Sequence, residues 1–95
     1  MRDVQNEASS MIIEKCLTLS TWHMPPPGHE EYDDFGVRSE PHEYGTFVFF
    51  GGWPEVENIP TWLQPIYKYA RQHKCVLVNF DRDVEACDRF KVYEW

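Results

Sequence analysis

Three observations predict an α+β fold. Short runs rich in β-branched and aromatic residues recur at 16–22, 46–50 and 75–80. Between the last two, Leu63, Ile66, Tyr67 and Ala70 recur at three- and four-residue spacing, the mark of one helix with one apolar face. A chain of 95 residues makes a single domain, 1–95. It buries only about 60–70% of its unfolded surface, so a sequence that is 16% aromatic must pool those rings in one core. Together these predict a small, mostly antiparallel sheet of about three or four strands packed on one main helix, at about 61–73.

Residues 1–9 are polar and are read as a frayed terminus. The first strand is expected within 11–22, and best over 16–22, with a short helix at 11–15 competing for its first half. Met24-Pro25-Pro26-Pro27-Gly28 cannot join a central strand, because three successive residues lack an N–H. It opens a long acidic, Pro-rich loop, 24–43, in which 29–35 can wind into a short helix stopped by Gly36.

The run at 46–50 is apolar without alternation, which fits a strand covered on both faces, or on one face plus a partner. Gly51 and Gly52 end it. Thr61-Trp62-Leu63-Gln64 has the capping-box pattern, with Thr61 as N-cap and Gln64 at N3. The helix then runs to about His73, where Arg71, His73 and Lys74 suit its negative end. In the clearest strand, 75–80, Val76, Val78 and Phe80 share one face and Leu77 takes the other. A polar loop at 81–88 leads to 90–95, which is expected to be a final edge strand with Phe90 and Val92 on one side.

The formal net charge is −7. Most of it lies between Gly28 and Tyr44, where Glu30, Glu31, Asp33, Asp34, Glu40 and Glu43 stand against one base, Arg38. Such a surface repels nucleic acid and attracts basic proteins. The cysteines are Cys16, Cys75 and Cys87, an odd count without a CxxC pair, and are read as reduced thiols of a cytosolic protein. The first ten residues, MRDVQNEASS, lack the apolar stretch of a signal peptide. No apolar run approaches the ~20 residues of a membrane span. A soluble, cytoplasmic protein is expected.

Several short marks recur along 16–95: Ser20-Thr21-Trp22-His23, Glu43-Tyr44-Gly45-Thr46-Phe47, Ala70-Arg71-Gln72-His73-Lys74-Cys75, Asn79-Phe80-Asp81-Arg82-Asp83 and Tyr93-Glu94-Trp95. With these the chain resembles a small family of unknown function carried by plasmids, prophages and genomic islands. Its members typically show an ST-x-H strand end, a YGxF strand, an ARxxGC helix end, an F-D-x-D segment and a Tyr-Asp/Glu-Trp terminus. Lys74 stands where that family often has Gly, and the acidic Pro-rich stretch replaces a shorter, less charged link. The resemblance implies no activity. It implies a mobile-element setting, and hence a bacterial host.

His23 with Asp81 and Asp83 is the one constellation that fits a small hydrolase or metal-dependent enzyme, all three sitting at expected strand ends. The chain has no HExxH, no paired Cys/His spacing and no Gly-rich phosphate loop. The competing reading has His23 and Asp81 binding loop backbone. Cys75 or Cys87 beside a histidine has no evident positive field to lower a thiol pKa.

The function expected is therefore non-enzymatic: an inhibitor from a mobile element, anti-CRISPR-like or antirestriction, that mimics nucleic acid and grips a basic groove. A CRISPR effector or a restriction enzyme is the expected partner. Glu30, Glu31, Asp33, Asp34, Glu40 and Glu43 would supply the charge, with Tyr32, Phe35 and Trp53 as anchors. No catalytic residue, metal or cofactor is expected. A third alternative is a toxin–antitoxin or regulatory partner that acts as a homodimer through an exposed strand; for the chain itself a monomer or homodimer is expected.

Overall fold

The computed structural model of the chain describes residues 14–26 and 37–94. The elements are β1 (Lys15–Ser20), a 3-10 turn at Thr21–His23, β2 (Ser39–His42), β3 (Gly45–Phe49), a 3-10 turn at Val56–Asn58, α1 (Gln64–Gln72) and β4 (Cys75–Asp81). The strands form one four-stranded mixed sheet in the order β1-β4-β3-β2. β1 and β4 run parallel, while β3 is antiparallel to both β4 and β2. This is the α+β class with a mostly antiparallel sheet.

Parallel register puts Leu17 beside Val78 and Leu19 beside Phe80. Antiparallel register puts Thr46 beside Phe80 and Val48 beside Val78. One face of the sheet is thereby apolar, and α1 covers it with Leu63, Ile66, Tyr67 and Ala70, the face expected from spacing. Each fully buried aliphatic or aromatic side chain contributes about 1.5–3 kcal/mol, so this layer accounts for most of what opposes chain entropy. The buried Tyr67 hydroxyl donates to the Pro54 carbonyl, and its ring meets Phe50 edge-on at 4.7 Å.

The run at 46–50 does alternate in its environment: Thr46, Val48 and Phe50 point into the core, while Phe47 and Phe49 are half-buried on the opposite face. What shields those two rings comes from the neighbouring segment. The Arg38 guanidinium lies 4.4 Å from the Phe49 centroid, and the His42 ring lies 4.5 Å from Phe47. Arg38 also pairs with Glu40.

That neighbour is the main departure from expectation. The fourth strand is β2, inside the stretch read as loop, and not 90–95. β2 carries a proline and three charged or polar residues in SEPH, so propensity argues against it. It survives as an edge strand, where Pro41 need not donate on its outer side. It is held by the Thr46 hydroxyl donating to the Glu40 carbonyl at 3.0 Å and the Phe49 N–H donating to the Arg38 carbonyl at 2.9 Å. Residues 91–94 are irregular instead. Phe90 and Tyr93 pack inward while Val92 is 44% exposed, so the apolar spacing there records two anchors of a strap. The short helix considered for 29–35 lies outside the described residues, as does Trp95. β1 stops at Ser20, whose side chain caps the 3-10 turn that takes in Trp22.

The helix begins two residues later than the capping box predicts. Leu63 is its N-cap, without a side-chain cap bond. The Gln64 amide reaches back to the Ile59 carbonyl at 2.9 Å, and the Leu63 N–H bonds the Pro60 carbonyl. Proline falls in the first turn, where its missing N–H costs nothing. At the other end Lys74 adopts φ 59°, the left-handed geometry suited to glycine just past a helix. Lys74→Gly should therefore stabilise the domain by about 1 kcal/mol, relief of left-handed strain exceeding the added unfolded-state entropy. A rise in melting temperature of about 5 °C would show it; an unchanged or lower value would mean the lysine is not strained.

Candidate functional site

Parallel β1 and β4 end on the same side of the sheet, and antiparallel β3 begins there. The loops after β1, before β3 and after β4 therefore meet at one rim. Backbone bonds lock them together. Tyr44 accepts from the Arg82 N–H at 2.8 Å, and Trp22 accepts from the Tyr93 N–H at 2.7 Å. The Ser20 hydroxyl accepts from the Trp22 N–H at 3.0 Å, and the Asp81 carboxylate from the Asp83 N–H at 2.8 Å. Gly45 lets two loops come this close: a Cβ there would sit 1.8 Å from the Phe80 carbonyl oxygen and 3.2 Å from Thr21 Cγ2.

On this rigid rim stand two large aromatic side chains that the core does not use. Trp22 is 50% exposed and Tyr44 41%. Arg82 lies between two clefts. One, of about 360 Å³, is lined by Thr21, Glu43, Tyr44 and Arg82 among others. The other, of about 290 Å³, is lined by Trp22, Arg82, Asp83 and Glu85 among others. The Arg82 guanidinium rests 5.4 Å from the Tyr44 ring centroid.

His42 has both ring nitrogens occupied. Its Nδ1 accepts the Tyr44 N–H at 3.1 Å, so the proton is on Nε2, which donates to Asn79 Oδ1 at 2.7 Å. Among the described residues that line the two clefts, the carboxylates are Glu43 in the first and Asp83 and Glu85 in the second, and Arg82 lines both.

A model described as the C-terminal domain of a family of unknown function, DUF5983, matches residues 16–95. The chain belongs to the DUF5983 family. No curated protein and no solved structure matches it. The matched span contains β2, β3, β4, all of β1 but Lys15, and the whole rim of the DUF5983 domain.

The residues singled out from sequence fall in separate places in this DUF5983 domain. Glu30, Glu31, Tyr32, Asp33, Asp34 and Phe35 lie outside the described residues. Glu40 is on β2 and is paired with Arg38. Glu43 is exposed in the β2–β3 turn and belongs to the rim. Trp53 sits at φ 49°, half-buried, with its ring 6.5 Å from Tyr67, as a cover on the core away from the rim.

His23, Asp81 and Asp83 do not make a metal cluster. Among the described residues no three His, Cys, Asp or Glu side chains come together to hold an ion. His23 is 1% exposed, and both ring nitrogens are committed to backbone. Nε2 accepts the Cys87 N–H at 3.0 Å and Nδ1–H donates to the Lys91 carbonyl at 2.9 Å. Cys87 meets His23 through its amide, not its thiol. Burial pushes the Cys16 thiol above its ordinary range, the reverse of what a nucleophile needs.

Sequence reasoning passed over Trp22 and Arg82 and did not count Tyr44 among the anchors. A signal was there: each lies in one of the short marks at a strand end, and the other members of those marks have folding roles. Ser20 caps a turn, His23 pins the strap, Gly45 makes room, Asp81 closes a turn, and Phe80 and Tyr93 are core. Only the exposed side chains are left without one.

Proposed function

We propose that the domain is a non-enzymatic binding module of mobile-element origin that docks on a basic, nucleic-acid-binding protein of host defence and blocks it. The observation that carries this is the rim: two exposed aromatics held by a hydrogen-bonded backbone beside Glu43, Asp83 and Glu85. Rigid aromatic anchors lose little entropy on binding. A net charge of −7 makes encounter with a Lys/Arg-lined groove favourable from a distance. A CRISPR effector or a restriction enzyme offers such a groove.

The test is inhibition of DNA cleavage by a panel of guide-loaded CRISPR nucleases and restriction enzymes. Wild-type protein should slow cleavage by at least one of them, less so as salt rises. The triple variant Glu43→Lys, Asp83→Lys, Glu85→Lys should lose inhibition by about tenfold or more. It should keep its circular dichroism, since all three side chains are exposed. Cleavage untouched across the panel would overturn the defence reading, and an equally active triple variant would overturn the acidic rim.

A further inference from the structure

We propose that the cleft beside Tyr44 is a seat for a guanidinium group: it takes an arginine side chain of a basic partner, and Arg82 rests there in the free protein. This deepens the binding reading above by naming the chemistry of its contact point.

Three features of the cleft fit one ligand class. First, the Tyr44 ring is exposed at 41% and already has a guanidinium over it, that of Arg82. A ring face that holds one planar cation in cis can hold another in trans, because the attraction comes from the ring quadrupole and not from shape. Second, the acceptors in reach are of one sign. Glu43 lines the cleft, Asp83 and Glu85 line its neighbour across Arg82, and His42 has both ring nitrogens engaged, with the Tyr44 N–H and Asn79 Oδ1. An anionic ligand would meet Glu43 inside the cleft and Asp83 and Glu85 beyond Arg82. An arginine would meet a ring face plus the Glu43 carboxylate, able to accept its N–H groups.

Third, Arg82 is free to leave. Its backbone N–H is what ties it to the Tyr44 carbonyl, at 2.8 Å. The side chain is exposed on the ridge between the two clefts, so it can swing toward the Trp22 side, where Asp83 and Glu85 stand, without disturbing the turn. Arg82 then acts as a competitor: it keeps the ring covered and its removal should help an incoming arginine. That sign separates this proposal from any in which Arg82 itself binds the ligand.

The experiment is an NMR titration of the full chain, following the ring signals of Tyr44 and Trp22. The probes are a blocked tripeptide with a central arginine, the same tripeptide with lysine, and inorganic phosphate. The arginine peptide should shift the Tyr44 signals with saturation in roughly the millimolar range, and lysine should bind about threefold more weakly. Phosphate should leave the ring signals in place. Arg82→Ala should tighten the arginine peptide by about threefold, and Tyr44→Leu should abolish the peptide-induced shift of the neighbouring Gly45 and Arg82 backbone amides while the Trp22 indole keeps its folded-state position.

If Arg82→Ala weakens binding or leaves it unchanged, or if phosphate is what moves the rim, the seat is wrong. The two readings fail separately. Inhibition of a defence enzyme by a protein whose rim ignores the arginine peptide would discard the seat and keep the binding module. Saturable arginine binding by a protein that inhibits nothing would keep the seat and discard the defence role.

Discussion

Gly45→Ala is expected to lower the melting temperature by about 15 °C, the cost of roughly 2–3 kcal/mol of overpacking in a domain of this size. The added methyl would lie 1.8 Å from the Phe80 carbonyl oxygen, far inside contact distance, and 3.2 Å from Thr21 Cγ2. Neither side can yield easily. Phe80 is fully buried and sits on β4, which is paired on both sides, to β1 and to β3. Thr21 belongs to a 3-10 turn capped by Ser20. Relief therefore requires peeling the start of β3 from β4, losing the Gly45–Asp81 pair and the Tyr44–Arg82 backbone bond beyond it. Thermal unfolding followed by circular dichroism checks this. A shift under about 3 °C would mean that the two strands separate at this end without penalty. Gly45 has an ordinary backbone angle, so the effect is one of space alone and not of left-handed strain.

The same substitution links fold to function. Tyr44 precedes Gly45 and is displayed by the turn that Gly45 allows. Whatever survives folding in the variant should carry a displaced Tyr44 and bind an arginine probe poorly. Exposed side chains thus depend on a buried close approach, a coupling that no local propensity encodes.

What was legible from sequence divides along that line. β4 was read to within one residue and α1 to within about three because their signals are local: helical spacing at Leu63, Ile66, Tyr67 and Ala70, and a β-branched run at 75–80. β2 was missed because Ser39–His42 has no strand signal of its own. It is a strand only because β3 offers an unpaired edge and because Phe47 and Phe49 need cover, which Arg38 and His42 give. Residues 91–94 were misread for the converse reason. Their apolar residues looked periodic, but the backbone bonds go to Trp22 and His23 and not to a neighbouring strand. The candidate site was invisible for a third reason. It exists only once the parallel β1–β4 pairing brings three distant loops to one end, and strand order was not derivable. Charge density drew attention to 28–44, and of its described residues His42, Glu43 and Tyr44 line the rim cleft.

His23→Ala should be as damaging as the glycine change, about 3 kcal/mol and about 15 °C, and its sign decides between two accounts of the residue. If His23 served chemistry with Asp81 and Asp83, its removal would leave stability unchanged or raised, since functional groups are commonly kept at the expense of stability. The geometry predicts loss. The ring is 1% exposed and bridges two points of a strap that has no secondary structure: the Cys87 N–H at 3.0 Å and the Lys91 carbonyl at 2.9 Å. It also meets Phe90 edge-on at 5.8 Å, and Phe90 in turn meets Tyr69 of α1 at 5.7 Å. Without the imidazole, two polar backbone groups lose their partners and the strap loses its link from β1 to α1. The Tyr93 amide, bonded to the Trp22 carbonyl, should then lose hydrogen-exchange protection before β4 does. Asp81→Ala is the control, because it removes only a turn bond to the Asp83 N–H at the surface and should cost about 1 kcal/mol. A His23 variant as stable as that control would return the residue to the list of candidate catalytic groups. A loss three times larger, with Tyr93 exchange released, would place it among the residues that hold the rim in shape.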